Sequence, residues 1–215
     1  MRRSWSRPAL AVFAVALLAA ASGCAVTSRG TAAPAVPPTS DWPQRRLALQ
    51  GLSAWDINGR IAVAATAGRE GWTASLDWRR RGESSVIDLR GPLGAGAVRV
   101  TVEGAETTVD DGRGPPRRYT DLEAGLAAGL GAPLPIASLR YWVLGVPDPA
   151  LPSIEAQGAE GWLATLEQDG WSVRFERYGA TPLGWLPARV VAEHEGLRLR
   201  LAIESWGAPA PGASP

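Results

Sequence analysis

Apolar and polar residues alternate with a period of two along most of this chain. Trp55, Ile57, Gly59, Ile61 and Val63 alternate with Asp56, Asn58 and Arg60. The same rhythm returns at Trp72, Ala74, Leu76 and Trp78, at Val98, Val100 and Val102, and at Leu197, Leu199, Leu201 and Ile203. Successive side chains of a strand point to opposite faces, so each run predicts a strand with one dry and one wet face. Turn residues separate the runs. Asp169-Gly170 joins 162–168 to 171–178, and Glu195-Gly196 turns 189–194 into the final strand. Such pairs suit hairpins whose two central residues need positive φ. About ten or eleven strands fit this spacing, which points to a sandwich or a barrel.

The middle of the chain breaks the alternation. Thr120 and Glu123 have the spacing of a capping box, and Leu122, Leu126 and Leu130 follow at helical spacing up to Gly131. A second helix is expected over 136–144, closed by Gly145 and Pro147, and another short one over 42–52. A few helices beside many strands predict a curved sheet with one open side, covered by those helices.

The first residues follow a different rule. Arg2, Arg3 and Arg7 precede an apolar run from Pro8 to Ala21, then Ala21-Ser22-Gly23 and Cys24. This is the order of a secretory leader, and its apolar run is shorter than the ~20 residues of a membrane-spanning helix. Cys24 is the only cysteine, so no intramolecular disulfide can form. A lone cysteine directly after small residues resembles a bacterial lipobox, in which the thiol is acylated and the leader is cut before it. Ala21 stands where that motif usually has leucine. The expected organisation is a leader over 1–23, a Pro- and Ala-rich tether over 24–43, a β domain over 44–208 and a tail over 209–215.

Charge narrows the partners. The leader carries three of the 22 basic residues and no acid, so the remainder is near −2. A nucleic-acid partner has no electrostatic support at that balance. Every basic side chain other than His194 is arginine. Arg79-Arg80-Arg81 before Gly82 reads as a hairpin tip, either a solvated turn or a docking point for an acidic surface. His194 lies between Glu193 and Glu195, and no Gly-x-Ser-x-Gly elbow accompanies it. Neither a catalytic set, a metal site nor a cofactor is expected. Eight of the ten tryptophans lie beyond the tether: Trp55, Trp72, Trp78, Trp142, Trp162, Trp171, Trp185 and Trp206. They could form an ordinary core or line a cavity for alkyl chains.

Several segments combine in a fixed order. Trp55-x-x-x-Gly59-Arg60-Ile61-Ala62-Val63 precedes Gly71-Trp72-x-Ala74-x-x-x-Trp78, then Gly91-Pro92-Leu93-Gly94. Leu134-Pro135-x-x-x-Leu139-Arg140-Tyr141-Trp142-x-x-Gly145-x-Pro147 follows, then Asp169-Gly170-Trp171, Tyr178 and Pro187-Ala188-Arg189. This set resembles the LolB family of outer-membrane lipoprotein receptors. The resemblance implies a mainly β fold, an unclosed antiparallel barrel with a small helical lid over an apolar cavity. It implies an outer-membrane protein, lipid-anchored through Cys24 on the periplasmic side. Such a protein would take acylated lipoproteins from a LolA-like periplasmic carrier and insert them into the inner leaflet of the outer membrane. Ala25, rather than aspartate, is compatible with that destination. Candidate cavity residues are Trp55, Ile61, Val63, Trp72, Leu76, Trp78, Leu139, Trp142, Val173, Leu199 and Leu201. Delivery would use the loop Pro92-Leu93-Gly94, where the family places an important leucine. Pro92 fixes φ and the glycines permit tight bends, so the loop can hold an outward shape. Expected partners are the carrier, the lipoprotein cargo and outer-membrane lipid, with the chain itself a monomer. Two other readings remain open: an envelope-assembly lipoprotein whose β domain binds protein, and an envelope hydrolase.

Overall fold

The first and last strands of the domain pair with each other at the centre of one open sheet. The computed structural model describes residues 41–207 apart from 66–70, 93–95, 122, 123, 126 and 128–133. Helix α1 (Trp42–Gln50) leads into β1 (Ala54–Ala65), β2 (Trp72–Arg81), β3 (Ser84–Arg90), β4 (Ala97–Glu103), β5 (Glu106–Asp110) and β6 (Arg117–Tyr119). After the lid helix α2 (Ile136–Trp142) come β7 (Ser153–Gln157), β8 (Leu163–Gln168), β9 (Trp171–Thr181), β10 (Gly184–His194) and β11 (Leu197–Gly207). The order across the sheet is β6-β5-β4-β3-β2-β1-β11-β10-β9-β8-β7, with every neighbour antiparallel. The eleven strands therefore form two hairpin runs zipped together where β1 meets β11. The sheet does not close, because β6 and β7 stand at opposite edges.

The period-two pattern translates directly into faces. Trp55, Ile57, Ile61 and Val63 of β1 are buried, as are Ala74, Leu76 and Trp78 of β2 and Leu199, Leu201 and Ile203 of β11. Asp169 (φ 51) with Gly170 (φ 75), and Glu195 (φ 44) with Gly196 (φ 78), adopt the left-handed conformation that two-residue hairpins require. The other face carries cross-strand ion pairs. Asp88 lies between Arg99 (2.6 Å) and Arg79 (2.9 Å), whose guanidiniums hold its carboxyl below the usual range against its own burial.

Three expectations shift in detail. The helix after Thr120 is capped one residue later, since the Asp121 carboxylate accepts the Ala124 amide at 3.1 Å. Leu122, Glu123, Leu126 and Leu130 lie outside the described residues. The arginine triplet is not a hairpin tip. β2 runs on through Arg81, and the turn falls at Gly82-Glu83. Arg79 and Arg81 face outward onto Asp88 and Asp56, whereas Arg80 keeps the inward register of Leu76 and Trp78 and is buried. Finally, α1 ends at Gln50, two residues short of the expected bound, and begins as expected at Trp42. Its indole donates to Glu155 at 2.9 Å, and Arg46 pairs with the same carboxylate at 2.8 Å.

Curvature at the central ladder depends on a bulge between Asn58 and Gly59. A Cβ on Gly59 would stand 2.1 Å from the Ala202 carbonyl oxygen, a backbone atom that cannot swing aside. Gly59→Ala is therefore expected to cost roughly 3 kcal/mol by overpacking. Urea unfolding should show a lower midpoint at an unchanged slope; an unchanged midpoint would mean that the ladder can slide to accept the methyl.

Candidate functional site

The segment 134–146, which contains α2, lies across the inward face of the sheet. Leu134, Ile136 and Leu139 descend from it onto Ile61, Leu76, Trp78, Ile87, Leu89, Val100 and Leu201. Helical spacing puts Ile136 and Leu139 on one side, and all three lid residues are buried. The enclosed space is apolar on every wall and retains only about 10 Å³ of open volume. One water needs ~10–15 Å³ of such volume and two or more polar partners, which these apolar walls do not offer, so the space is dry.

Five of the expected cavity residues line this space: Ile61, Leu76, Trp78, Leu139 and Leu201. The other six are placed elsewhere. Trp55 packs edge-on against Trp78 (5.0 Å) and Trp206 (5.9 Å). Val63 pairs in register with Trp72 on one side and Leu199 on the other. Val173 lies in β9 opposite Ala192, and Trp142 meets Trp171 at 6.0 Å. Most tryptophans thus pack against other aromatic rings, including Trp162 on Trp185 (5.3 Å) and on Tyr178 (4.9 Å). Of the eight, only Trp78 lines the closed space.

The lid has a fixed end and a greasy end. At the fixed end Gln168, buried in β8, accepts both the Trp142 indole N–H and the Asp148 amide at 2.9 Å through Oε1. Its Nε2 donates to the Asp148 carbonyl (3.0 Å) and the Leu151 carbonyl (3.2 Å). Ser138 bonds Asp148 at 3.2 Å, and Gln50 of α1 donates to the Pro147 carbonyl at 2.8 Å. Gly145, at φ 75, makes the bend between α2 and this anchored stretch. Beyond it, Leu134, Ile136 and Leu139 hold the sheet by apolar contact. Such contacts can be exchanged for an alkyl chain without breaking a hydrogen bond.

Two arginines sit unexpectedly inside this architecture. Arg45 of α1 is 1% exposed, donates to the Trp185 carbonyl and stacks over Trp162 at 5.8 Å; burial lowers its pKa. Arg80 occupies the inward face of β2, beside Arg140 of α2. Among the described residues the carboxylate that both reach is that of Glu83, at 3.8 and 3.7 Å. The indole nitrogens of Trp55 and Trp78 and Nε of Arg140 are buried with no acceptor among the described residues. Extending the β2 alternation by one step past Trp78 would have found Arg80. No sequence signal singles out Gln168, whose role depends on the fold around it.

The remaining candidates are simpler. His194 donates from Nδ1 to the Gly170 carbonyl at 2.9 Å and stacks on Trp171 at 5.1 Å, which binds one hairpin to the next. A hollow of about 450 Å³ on the outer face mixes apolar residues such as Ala62 and Val191 with arginines, of which Arg60, Arg189 and Arg198 are ion-paired. Pro92 is exposed, and the β3–β4 connection is closed by a Gly91 N–H bond to the Gly96 carbonyl at 3.0 Å. Leu93, Gly94 and Cys24 lie outside the described residues.

The chain resembles a LolA superfamily protein from Nitrosomonas europaea with a TM-score of 0.53 at 10% identity, over 78% of this chain and 93% of that one. It resembles a DUF1329 family protein from Desulfovibrio piger with a TM-score of 0.54 at 11% identity, over 81% and 93%. At those identities the likeness concerns the fold alone. The family described as outer membrane lipoprotein LolB matches residues 53–206. The outer-membrane lipoprotein LolB of Nitrosococcus oceani is 34% identical over 94% of this chain and 98% of its own length. That of Pseudomonas paraeruginosa is 36% identical over 92% and 94%. The chain belongs to the LolB family. It is an outer-membrane lipoprotein of the lipoprotein-localisation pathway and not an enzyme.

The anchored end of the lid gives a direct test. Gln168→Leu keeps the bulk but strands two buried donors and two carbonyls. It should cost at least ~4 kcal/mol, at ~1–3 kcal/mol for each of the four groups left unpaired. Amide exchange over 136–142 should accelerate in step. Wild-type stability and exchange in the variant would show that the lid is held by its apolar end alone.

Proposed function

We propose that this protein accepts acylated lipoproteins from a LolA-like periplasmic carrier and passes them to the inner leaflet of the outer membrane. The observation that carries the reading is the wholly apolar space beneath α2, closed by side chains and not by hydrogen bonds. Each buried methylene contributes about 0.8 kcal/mol, so a long acyl chain gains on the order of 10 kcal/mol on entering such a site. The open volume is too small for any chain, so uptake requires the greasy end of the lid to lift. The protein is retained through acylation at Cys24, on the periplasmic side. One chain binds membranes only marginally, and stable attachment needs more than one.

Cys24→Ser should give an uncleaved or soluble species without acyl mass, read by mass spectrometry and fractionation. An acylated, membrane-bound product in the variant would remove Cys24 from the mechanism.

Receiving and delivering cargo use different parts of the molecule. Acceptance uses the apolar interior. Delivery uses Leu93, whose loop follows β3 at the end opposite the Gly82-Glu83 turn. A leucine offers roughly 1.5–3 kcal/mol when buried, enough for transient contact with lipid. Leu93→Glu should accept cargo from the carrier at near wild-type levels and fail to pass it to liposomes. A charge resists the apolar membrane region by roughly 2.5–3.5 kcal/mol at its centre. The two stages are scored as receptor-bound and then liposome-bound cargo. Normal delivery by the variant would remove the loop from the mechanism, and lost acceptance would make Leu93 part of the interior. A chain that takes up no alkyl ligand at all would favour the protein-binding alternative.

A further inference from the structure

A small chamber with two arginines in its wall adjoins the apolar space and opens on the same lid. Its volume is about 140 Å³, and it is lined by Trp78, Arg80, Glu83, Ser85, Ile136 and Arg140, among others. Trp78 and Ile136 wall both spaces, so the two lie side by side. Arg80 projects from the sheet between Trp55 of β1 and Ser85 of β3, its register partners. Arg140 comes from α2 and lies over the Tyr141 ring at 4.8 Å.

The chamber has more donors than acceptors. Arg80 is 7% exposed, yet the nearest carboxylate is Glu83, at 3.8 Å and itself 79% exposed on the hairpin turn. The same carboxylate serves Arg140 at 3.7 Å. Both distances exceed a hydrogen bond. Two guanidiniums thus share one loosely placed, solvated negative charge. Desolvation and the neighbouring Arg140 both lower the Arg80 pKa, which marks the same imbalance. Nε of Arg140 and the Trp78 indole N–H are buried without an acceptor among the described residues. A sheet face built to be dry has no structural use for a second cation here. Guanidiniums are suited to a phosphate, whose oxygens they can meet two at a time.

We propose that Arg80 and Arg140 form a headgroup subsite that takes the phosphate of an acyl lipid while its chain lies in the adjoining apolar space. The assignment rests on the alkyl uptake proposed above. It adds a polar end to that ligand. Because Arg80 belongs to the sheet and Arg140 to the lid, a bound phosphate bridges the two, replacing Glu83. The lidded site then prefers anionic amphiphiles to neutral ones of equal chain length.

The test uses the full chain carrying Cys24→Ser, titrated below micelle-forming concentrations and followed by tryptophan fluorescence. The probes are dodecyl phosphate, the neutral octaethylene glycol monododecyl ether and inorganic phosphate. Dodecyl phosphate should bind about tenfold more tightly than the neutral ether, which corresponds to ~1.4 kcal/mol. Arg140→Gln and Arg80→Gln should abolish the preference without weakening the ether. Glu83→Gln should enlarge it several-fold, because the competing carboxylate is gone. Arg140 and Glu83 carry the test if Arg80→Gln fails to fold, since neither is a core residue. Equal binding of the two amphiphiles, or a preference unmoved by Arg140→Gln and Glu83→Gln, overturns the subsite and leaves alkyl uptake standing. Uptake of neither amphiphile overturns both. Inorganic phosphate binding as tightly as dodecyl phosphate overturns the lipid assignment in favour of a free anion.

Discussion

The β1–β11 ladder is the constraint on which the rest depends. It pairs Val63 with Leu199 and Ile61 with Leu201, residues from opposite ends of the domain sequence. Each hairpin run could form locally, but neither alone has a complete inner face. Zipping them along the two long central strands joins Ile61, Leu76 and Trp78 of one run to Leu201 of the other in a single apolar surface. The cost is the entropy of closing a loop that contains nearly everything else, which grows only slowly with length. What the ladder then imposes is the position of the gap. Because the chain's ends meet in the middle, the two free edges belong to β6 and β7, and the segment joining those strands must cross the open side. The lid is therefore a topological necessity before it is a functional device.

A lid made this way acts as an intramolecular ligand. Leu134, Ile136 and Leu139 fill the space that an acyl chain would occupy, and their burial is worth roughly 5–9 kcal/mol at ~1.5–3 kcal/mol each. An acyl chain entering as proposed would gain on the order of 10 kcal/mol. The difference is a few kcal/mol, far less than the chain's full burial energy. A site that exchanges one set of apolar contacts for another can hold a lipid without trapping it. Gln168 matters for the same reason. By fixing the far end of the lid it leaves the leucines as the part that yields.

Much of the fold was legible because period-two alternation is a local property. The strands, their faces and the two-residue turns at Asp169-Gly170 and Glu195-Gly196 all follow from it. The site was legible in part. Ile61, Leu76, Trp78, Leu139 and Leu201 meet under the lid as their apolar faces implied. Trp55, Val63, Trp72, Trp142, Val173 and Leu199 share the inward pattern but lie away from the closed space. Alternation says which face a residue is on and not how far it stands from the lid. Arg80 was misread because a run of three arginines before a glycine looks like a turn. The register of Trp72, Ala74, Leu76 and Trp78 places it inward regardless of its charge. Gln168 was invisible because its four partners come from α2 and the 148–151 loop, and nothing local specifies them.

The distribution of arginine partners separates the two faces of the sheet. On the outer face Arg60 meets Glu204, Arg81 meets Asp56, Arg79 and Arg99 share Asp88, and Arg174 and Arg198 share Glu193. These pairs are half-exposed and cross between strands, so each contributes little and together they make the surface soluble. Their common feature is that a carboxylate stands opposite each guanidinium. Inside, that rule is broken twice. Arg45 has a backbone carbonyl and an aromatic ring but no carboxylate, and Arg80 with Arg140 has half of one. An unmatched charge is costlier where water is excluded, so the molecule carries its electrostatic deficit where it could most readily have avoided it. Replacing Arg80 by leucine would continue the Trp72–Trp78 stripe and seal the chamber. A sequence optimised only to fold would do so. The retained cations lie at the boundary between the lid and the apolar space. That boundary is where the amphiphile proposed for this site would turn from tail to head.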